Sequence, residues 1–127
     1  MILNNVRVKC EISGKSYHFK SKAEHRFALY LEFLRQHQQI ASWQYEPKTF
    51  WFEGIKRGCV SYKPDFLGLE WNGIRKWYEV KGYMDKRSQT KIKRFRSYFP
   101  EETLIVIDSK WFASNSKNLK MIIPGWS

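Results

Sequence analysis

Residues 60–82 read VSYKPDFLGLEWNGIRKWYEVKG: two runs rich in aromatic and β-branched side chains on either side of Asn72-Gly73. Such runs suit a pleated, half-buried surface, and Asn-Gly accepts the positive φ angles of tight turns, so a β-hairpin is predicted with arms Val60 to Trp71 and Ile74 to Lys81. Its register matters because successive strand residues point to opposite faces. A strict two-residue Asn72-Gly73 turn pairs Trp71 with Ile74 and sets Asp65 opposite Val80, facing away from Glu79. A three-residue loop, Trp71-Asn72-Gly73 with Gly73 left-handed as in a G1 bulge, pairs Glu70 with Ile74 and sets Asp65 opposite Glu79 on one face. The bulged loop, or another one-residue bulge in these arms, is expected if the two carboxylates act together.

Glu79-Val80-Lys81 would place Glu79 and Lys81 on one strand face, with Val80 turned into the core. A second E-x-K, Glu46-Pro47-Lys48, has a proline inside it and no Pro-Asp partner strand, and reads as a strand end. A hard cation such as Mg²⁺ is held by carboxylate oxygens, with waters and substrate phosphate completing its shell. Asp65 and Glu79 would supply two of those oxygens, and Lys81 would stabilise developing negative charge on a phosphate or an attacking water.

A third acid lies upstream. Ser21-Lys22-Ala23-Glu24 fits a capping box opening a helix from about Lys22 to His37. At about 100° per residue, Phe27, Ala28, Leu31 and Leu34 fall within a quadrant or so of Glu24. Glu24 thus points from the stripe that packs on the sheet, where a carboxylate is costly unless paired or bound to metal. The local alternative is that Glu24 serves only its own helix end.

Working outward, Val6, Val8 and Cys10 alternate with Arg7 and Lys9 before Ser13-Gly14-Lys15 and Tyr17 to Phe19, which predicts an opening hairpin. Trp43 to Glu46 and Thr49 to Glu53 read as extended segments parted by Pro47, with a loop over residues 54–58. Helical spacing of Ile92, Phe95 and Phe99 predicts a helix from Asp85 to Phe99, stopped by Pro100. Thr103 to Ile107 is a buried strand, expected parallel to the one ending at Lys81 through a strand-helix-strand crossover. Met121 to Ile123 reads as a short edge strand. No repeat, low-complexity stretch or linker divides the chain.

The 127 residues, 43% hydrophobic, suffice for one domain burying roughly two thirds of its unfolded surface. The expected division is residues 1–20 as hairpin, 21–108 as catalytic core and 109–127 as C-terminal extension. No apolar run approaches membrane-spanning length, so a soluble, cytoplasmic protein without membrane contact is expected. Cys10 and Cys59 lack metal or disulfide spacing and read as small buried residues. His18, His25 and His37 share no spacing and read as surface or structural groups. Trp43, Trp51, Trp71 and Trp77 read as core or strand-face packing rather than base-stacking platforms.

Twenty-three Lys and Arg against 12 Asp and Glu give a formal charge of +11, which favours a polyanionic partner. Seven basic residues, Lys81, Lys86, Arg87, Lys91, Lys93, Arg94 and Arg96, crowd a stretch with one acid, Asp85. Arg87, Lys91 and Arg94 recur at helical spacing as a basic stripe that would contact DNA phosphates without reading bases.

The order Ser21-x-x-Glu24 opening a helix, Tyr62-Lys63-Pro64-Asp65-Phe66 on one strand, Glu79-Val80-Lys81-Gly82 on the next, then a basic helix and a hydrophobic strand, resembles the PD-(D/E)xK nuclease superfamily over about Ser21 to Asp108. Within it, the opening hairpin, Gln44-Tyr45-Glu46-Pro47-Lys48 and the small size look most like compact phage-encoded endonucleases and phage or archaeal Holliday-junction resolvases. The resemblance implies an α+β restriction-endonuclease-like core: a central mixed sheet flanked by helices. It also implies Glu24, Asp65, Glu79 and the Val80 carbonyl as ligands of Mg²⁺ (or substituting Mn²⁺), and Lys81 as catalytic lysine. The activity implied is metal-dependent DNA endonuclease, directed by branched DNA structure or by a partner protein, in the bacterial host cell if phage-encoded. A resolvase would need a homodimer to cut two strands symmetrically. The alternatives are a catalytically silent DNA-binding or anti-defence protein with the same fold, and a basic RNA-binding module, which would leave the carboxylates unexplained.

Overall fold

The computed structural model describes residues 6–126; residues 1–5 of the expected hairpin region, and Ser127, lie outside the described residues. The chain opens with β1 (Val8–Ile12) and β2 (Lys15–Phe19), an antiparallel hairpin whose turn, Ser13-Gly14, has positive φ at both positions (49° and 81°). Helix α1 (Lys22–Gln36) follows at its predicted position, capped by the Ser21 hydroxyl accepting from the Glu24 amide at 3.1 Å. Then come β3 (Ser42–Tyr45), β4 (Phe50–Trp51), β5 (Ser61–Tyr62), β6 (Phe66–Leu69), β7 (Arg75–Val80), α2 (Lys86–Tyr98), β8 (Leu104–Ile107) and α3 (Ser109–Ile122).

The central sheet has the order β3-β6-β7-β8, with β7 and β8 parallel and the other pairs antiparallel. The fold is therefore mixed α and β: a central mixed sheet, three helices among the described residues, and an N-terminal hairpin. Alternation along the strands gives each face its own core. Phe66, Val80 and Ile107 pack with α1, α3 and the hairpin, while Trp77 and Leu104 pack with α2 and the β4–β5 ribbon. No helix of the described residues is long and apolar enough to cross a membrane.

Four expectations need correction. The first arm of the 60–82 hairpin is not continuous: Lys63-Pro64-Asp65 breaks it, since proline offers no N–H to a ladder, and Ser61–Tyr62 pairs with β4 instead of β7. Met121 to Ile123 is not an edge strand. Asp108 caps α3 by accepting from the Trp111 amide at 3.0 Å, and Phe112, Leu119, Ile123 and Trp126 join the main core, so the C-terminal segment is part of the domain's packing. Trp51 and Trp71 are exposed, not packed, and Cys10 is only half-buried while Cys59 is buried.

The register is the bulged one. Phe66 pairs with Tyr78 and Leu69 with Arg75; the Glu70 amide donates to the Ile74 carbonyl (2.9 Å), the Gly73 amide to the Glu70 carbonyl (3.0 Å), and Gly73 has φ 87°. Trp71-Asn72-Gly73 is thus a three-residue loop.

At the β3 edge of this sheet, buried Glu32 of α1 binds three elements together. It accepts from Ser13 of the hairpin turn (2.5 Å), from the Trp43 indole of β3 (2.9 Å) and from the Arg35 guanidinium at 2.8 and 2.7 Å. The Arg35 bonds foremost, together with those from Ser13 and Trp43, outweigh burial and hold its carboxyl down at about 2. A depressed folded-state pKa gives stability that is present above the unfolded value of 4.5 and lost as pH falls toward 2. Glu32→Gln is expected to cost about 1–3 kcal/mol near neutral pH. The gap from wild type should close in urea melts as pH approaches that lower limit; an unchanged gap would assign the cost to packing.

Candidate active site

Three elements converge where β6 begins and β7 ends. Glu24 leaves the first turn of α1, Asp65 precedes β6, and Glu79 stands near the end of β7; their residue exposures are 4%, 2% and 7%. Asp65 and Glu79 line an open cleft of about 220 Å³ walled also by Lys20, Glu46, Tyr62, Lys63 and Lys81, and on the α2 side by Ser88, Lys91 and Ile92; Glu24 is not in the lining and meets it through Lys20. Lys81 thus shares the cleft with Glu79, as their strand spacing predicts. Val80 turns its side chain into the core and donates its amide to Asp65 Oδ2 at 2.8 Å.

Each acid has a defined partner. Glu24 Oε1 accepts from the Tyr45 hydroxyl (2.7 Å) and from the Lys20 amide (2.9 Å). The return bond of the expected capping box therefore reaches past Ser21 to Lys20, and the carboxylate leans beyond its helix end toward the other acids. Glu79 Oε1 accepts from the Tyr62 hydroxyl at 2.5 Å. The Lys20 ammonium lies among three carboxylates, 3.3 Å from Asp65, 3.1 Å from Glu46 and 3.6 Å from Glu24. Among the described residues it is the one cation within ion-pair distance of these acids. Accordingly, no three His, Cys, Asp or Glu side chains of the described residues form a ready-made metal cage.

The electrostatics follow from that crowding. Burial, then Glu79 and Glu24, push the Asp65 carboxyl up to about 8, against the pull of Lys20 and the Val80 amide. Burial also raises Glu79, partly offset by Tyr62 and Lys81. Burial works against the Lys20 ammonium, but Asp65, Glu24 and Glu46 outweigh it and hold it protonated. Lys20 and Asp65 pull in opposite directions: the lysine favours an ionised Asp65, yet one half-exposed ammonium does not balance the acids packed around it. The crowding prevails, because the Asp65 side chain is buried while that of Lys20 is half-exposed to water. Burial first and then the facing carboxylates, Glu24 for Tyr45 and Glu79 for Tyr62, keep both hydroxyls protonated as donors. A site of buried, under-neutralised carboxylate oxygens is the donor chemistry a hard divalent cation takes.

Sequence reasoning did not find Lys20, Glu46, Tyr45 or Tyr62. Glu46 stood in the discounted E-x-K copy; its φ of 48° and the following Pro47 turn the chain so that the carboxylate meets Lys20. The basic stripe is also less free than expected. Arg94 Nη1 donates to the Cys59 carbonyl (2.8 Å) and Arg96 Nη2 to the Leu104 carbonyl (3.0 Å), whereas Lys86, Arg87 and Lys93 are exposed and Lys91 reaches the cleft. His25 stacks on Phe19, and His37 Nδ1 lies 2.9 Å from the Phe33 carbonyl.

Two comparisons bear on this chain. A family model described as "Protein of unknown function (DUF1064)" matches residues 7–120, and no curated protein matches the chain.

Proposed function

We propose that this chain, which belongs to the DUF1064 family, is a divalent-metal-dependent DNA endonuclease with a restriction-endonuclease-like core, as its resemblance to the PD-(D/E)xK nucleases implies. The observation that carries the reading is that buried Asp65 and Glu79 line one cleft with Lys81, while a third buried acid, Glu24, is joined to Asp65 through the Lys20 ammonium. Their pairing with a single half-exposed ammonium leaves negative charge uncompensated, which suits Mg²⁺ or Mn²⁺ held by these carboxylates and the Val80 carbonyl. When bound, the metal would lower the pKa of a water and neutralise charge on the scissile phosphate.

The chain's own residues do the rest. Tyr45 and Tyr62 fix the carboxylates of Glu24 and Glu79 by hydrogen bonds, and the Val80 amide fixes Asp65. Lys81, two residues beyond Glu79, presents an ammonium to the phosphate in the cleft, where it stabilises the charge that grows as the P–O bond breaks. Lys91 on α2, with exposed Lys86, Arg87 and Lys93, supplies phosphate contacts that hold the backbone over the cleft. Selection is assigned to DNA structure or to a partner protein, and symmetric cutting of a junction would require a second copy.

One observation favours a second reading: the Lys20 ammonium lies where a bound cation would neutralise the acids, as in a silent DNA-binding relative. Incubating wild type and Lys81→Ala with linear duplex, single strand, four-way junction and RNA, in Mg²⁺ or EDTA, separates the two. Cleavage is expected in Mg²⁺ alone, reduced at least about a hundredfold in the variant. Binding should persist in Lys81→Ala and weaken with salt as counterions compete for phosphates. Absence of cutting on every substrate, with Mg²⁺ or Mn²⁺, hands the protein to the second reading.

A further inference from the structure

Five of the six tryptophans are packed or hydrogen-bonded. Trp77 and Trp126 are buried, Trp111 stacks edgewise on Phe27 and Tyr30, and the indoles of Trp43 and Trp71 donate to Glu32 and to the Gln38 carbonyl. Trp51 differs. It is 66% exposed, and among the described residues its indole has neither a hydrogen bond nor a ring partner. Strand parity sets it there: Phe50 and Phe52 on either side are 4% and 2% exposed and turn into the core beneath α2, so the residue between them faces outward.

The segment that carries Trp51 is basic and runs to the cleft. Trp51 pairs with Ser61, and exposed Lys63, just past the end of β5, lines the cleft. Between residues 48 and 63 the chain carries Lys48, Lys56, Arg57 and Lys63, all exposed, against one acid, Glu53. The segment is also held rigid against α2. The Arg94 guanidinium donates to the Cys59 carbonyl (2.8 Å), and the Tyr98 hydroxyl to the Glu53 carbonyl (3.0 Å). A protein partner would be met by a contiguous apolar core within a polar rim. One exposed indole on a basic segment instead matches the pairing of a base π-face with its phosphate backbone, and a fixed platform loses little freedom on binding.

We infer that the outer face of the β4–β5 ribbon is a second DNA-contact surface, on which Trp51 stacks against an unpaired base next to the strand held in the cleft. The inference rests on the reading of this protein as acting on DNA, and it narrows the substrate to DNA with unpaired nucleotides beside the cut.

The test is fluorescence anisotropy in EDTA, with a labelled duplex carrying a single-stranded flap and a flush duplex of the same length, against wild type, Trp51→Ala and Trp51→Phe. Trp51→Ala is expected to weaken flap binding about tenfold, with Trp51→Phe retaining most of it. Flush-duplex affinity should stay within about twofold, because phosphate contacts dominate there. Because Trp51 is exposed, the melting temperature should hold in both variants. Equal losses on the two DNAs, or no loss on the flap, overturn the stacking surface while leaving the nuclease reading intact. Failure of the wild type to bind either DNA overturns both.

Discussion

Asp65→Asn is expected to raise the melting temperature of the metal-free protein while lowering metal-supported cleavage about a thousandfold, since a lost ligand forfeits several kcal/mol of charge stabilisation. The two effects share one cause. Asp65 is buried against Glu79 and Glu24, and its carboxyl is pushed up to about 8. A folded-state pKa raised above the ordinary 3.8 means that no stability is lost below that value and that stability falls progressively as pH rises toward 8, where the folded protein must ionise a group it disfavours. Asparagine keeps an oxygen for the Val80 amide and removes the charge. The gain is expected to be about 2 kcal/mol at the alkaline end, several degrees for a domain of this size, and to vanish as pH falls toward 4. Scanning fluorimetry in EDTA across that range reads it directly. Saturating Mg²⁺ should stabilise wild type more than the variant, because the proposed ligand set is complete only in wild type. A variant that melts lower than wild type at alkaline pH in EDTA would show that Lys20 and the Val80 amide already satisfy Asp65.

Lys20→Met should act in the opposite sense on the empty protein. It removes the ammonium that neutralises Asp65, Glu46 and Glu24, so the metal-free form should melt lower. A divalent ion no longer has to displace that ammonium. A single charge about 4 Å away, at a partly exposed site, is worth on the order of 1–4 kcal/mol, so Mn²⁺ should bind about tenfold tighter or more by calorimetry. Methionine keeps the length of the stem and loses only the charge. Weaker Mn²⁺ binding in the variant would make Lys20 a support for the carboxylates rather than a rival of the metal.

Much of this was legible in the chain because it is local. Gly73 after Asn72 selects a left-handed loop residue, strand parity puts Glu79 with Lys81, and the Ser21 cap starts α1 where it is observed. What escaped is either non-local or masked by propensity. Lys20 reaches Asp65 across the fold, and no period in the sequence links a residue before α1 to one before β6. Met121-Ile122-Ile123 looks like a strand because β-branched residues prefer one. The Asp108 cap and the packing of Phe112 and Leu119 overrule that preference, a tertiary override of a weak local signal. Pro64 was quoted for its motif, although its missing N–H also decides where the first arm must break. Trp51 was hidden by the habit of placing large aromatics inside; its neighbours Phe50 and Phe52 already claim the inward face. Arg94 and Arg96 fit a solvated stripe by spacing, and only the folded chain reveals the carbonyls they hold.

The Trp71-Asn72-Gly73 loop sits at the far end of β6 and β7 from the carboxylates and touches none of them. It nevertheless decides whether they share a face, since a slip to the Trp71–Ile74 pairing would turn Asp65 away from Glu79 with every acid still present. Selection for the acidic cluster therefore acts on more than its own codons. Under the proposed function its mutational target would include a remote loop that touches none of the acids, and a descendant could lose activity there while its motif still reads intact.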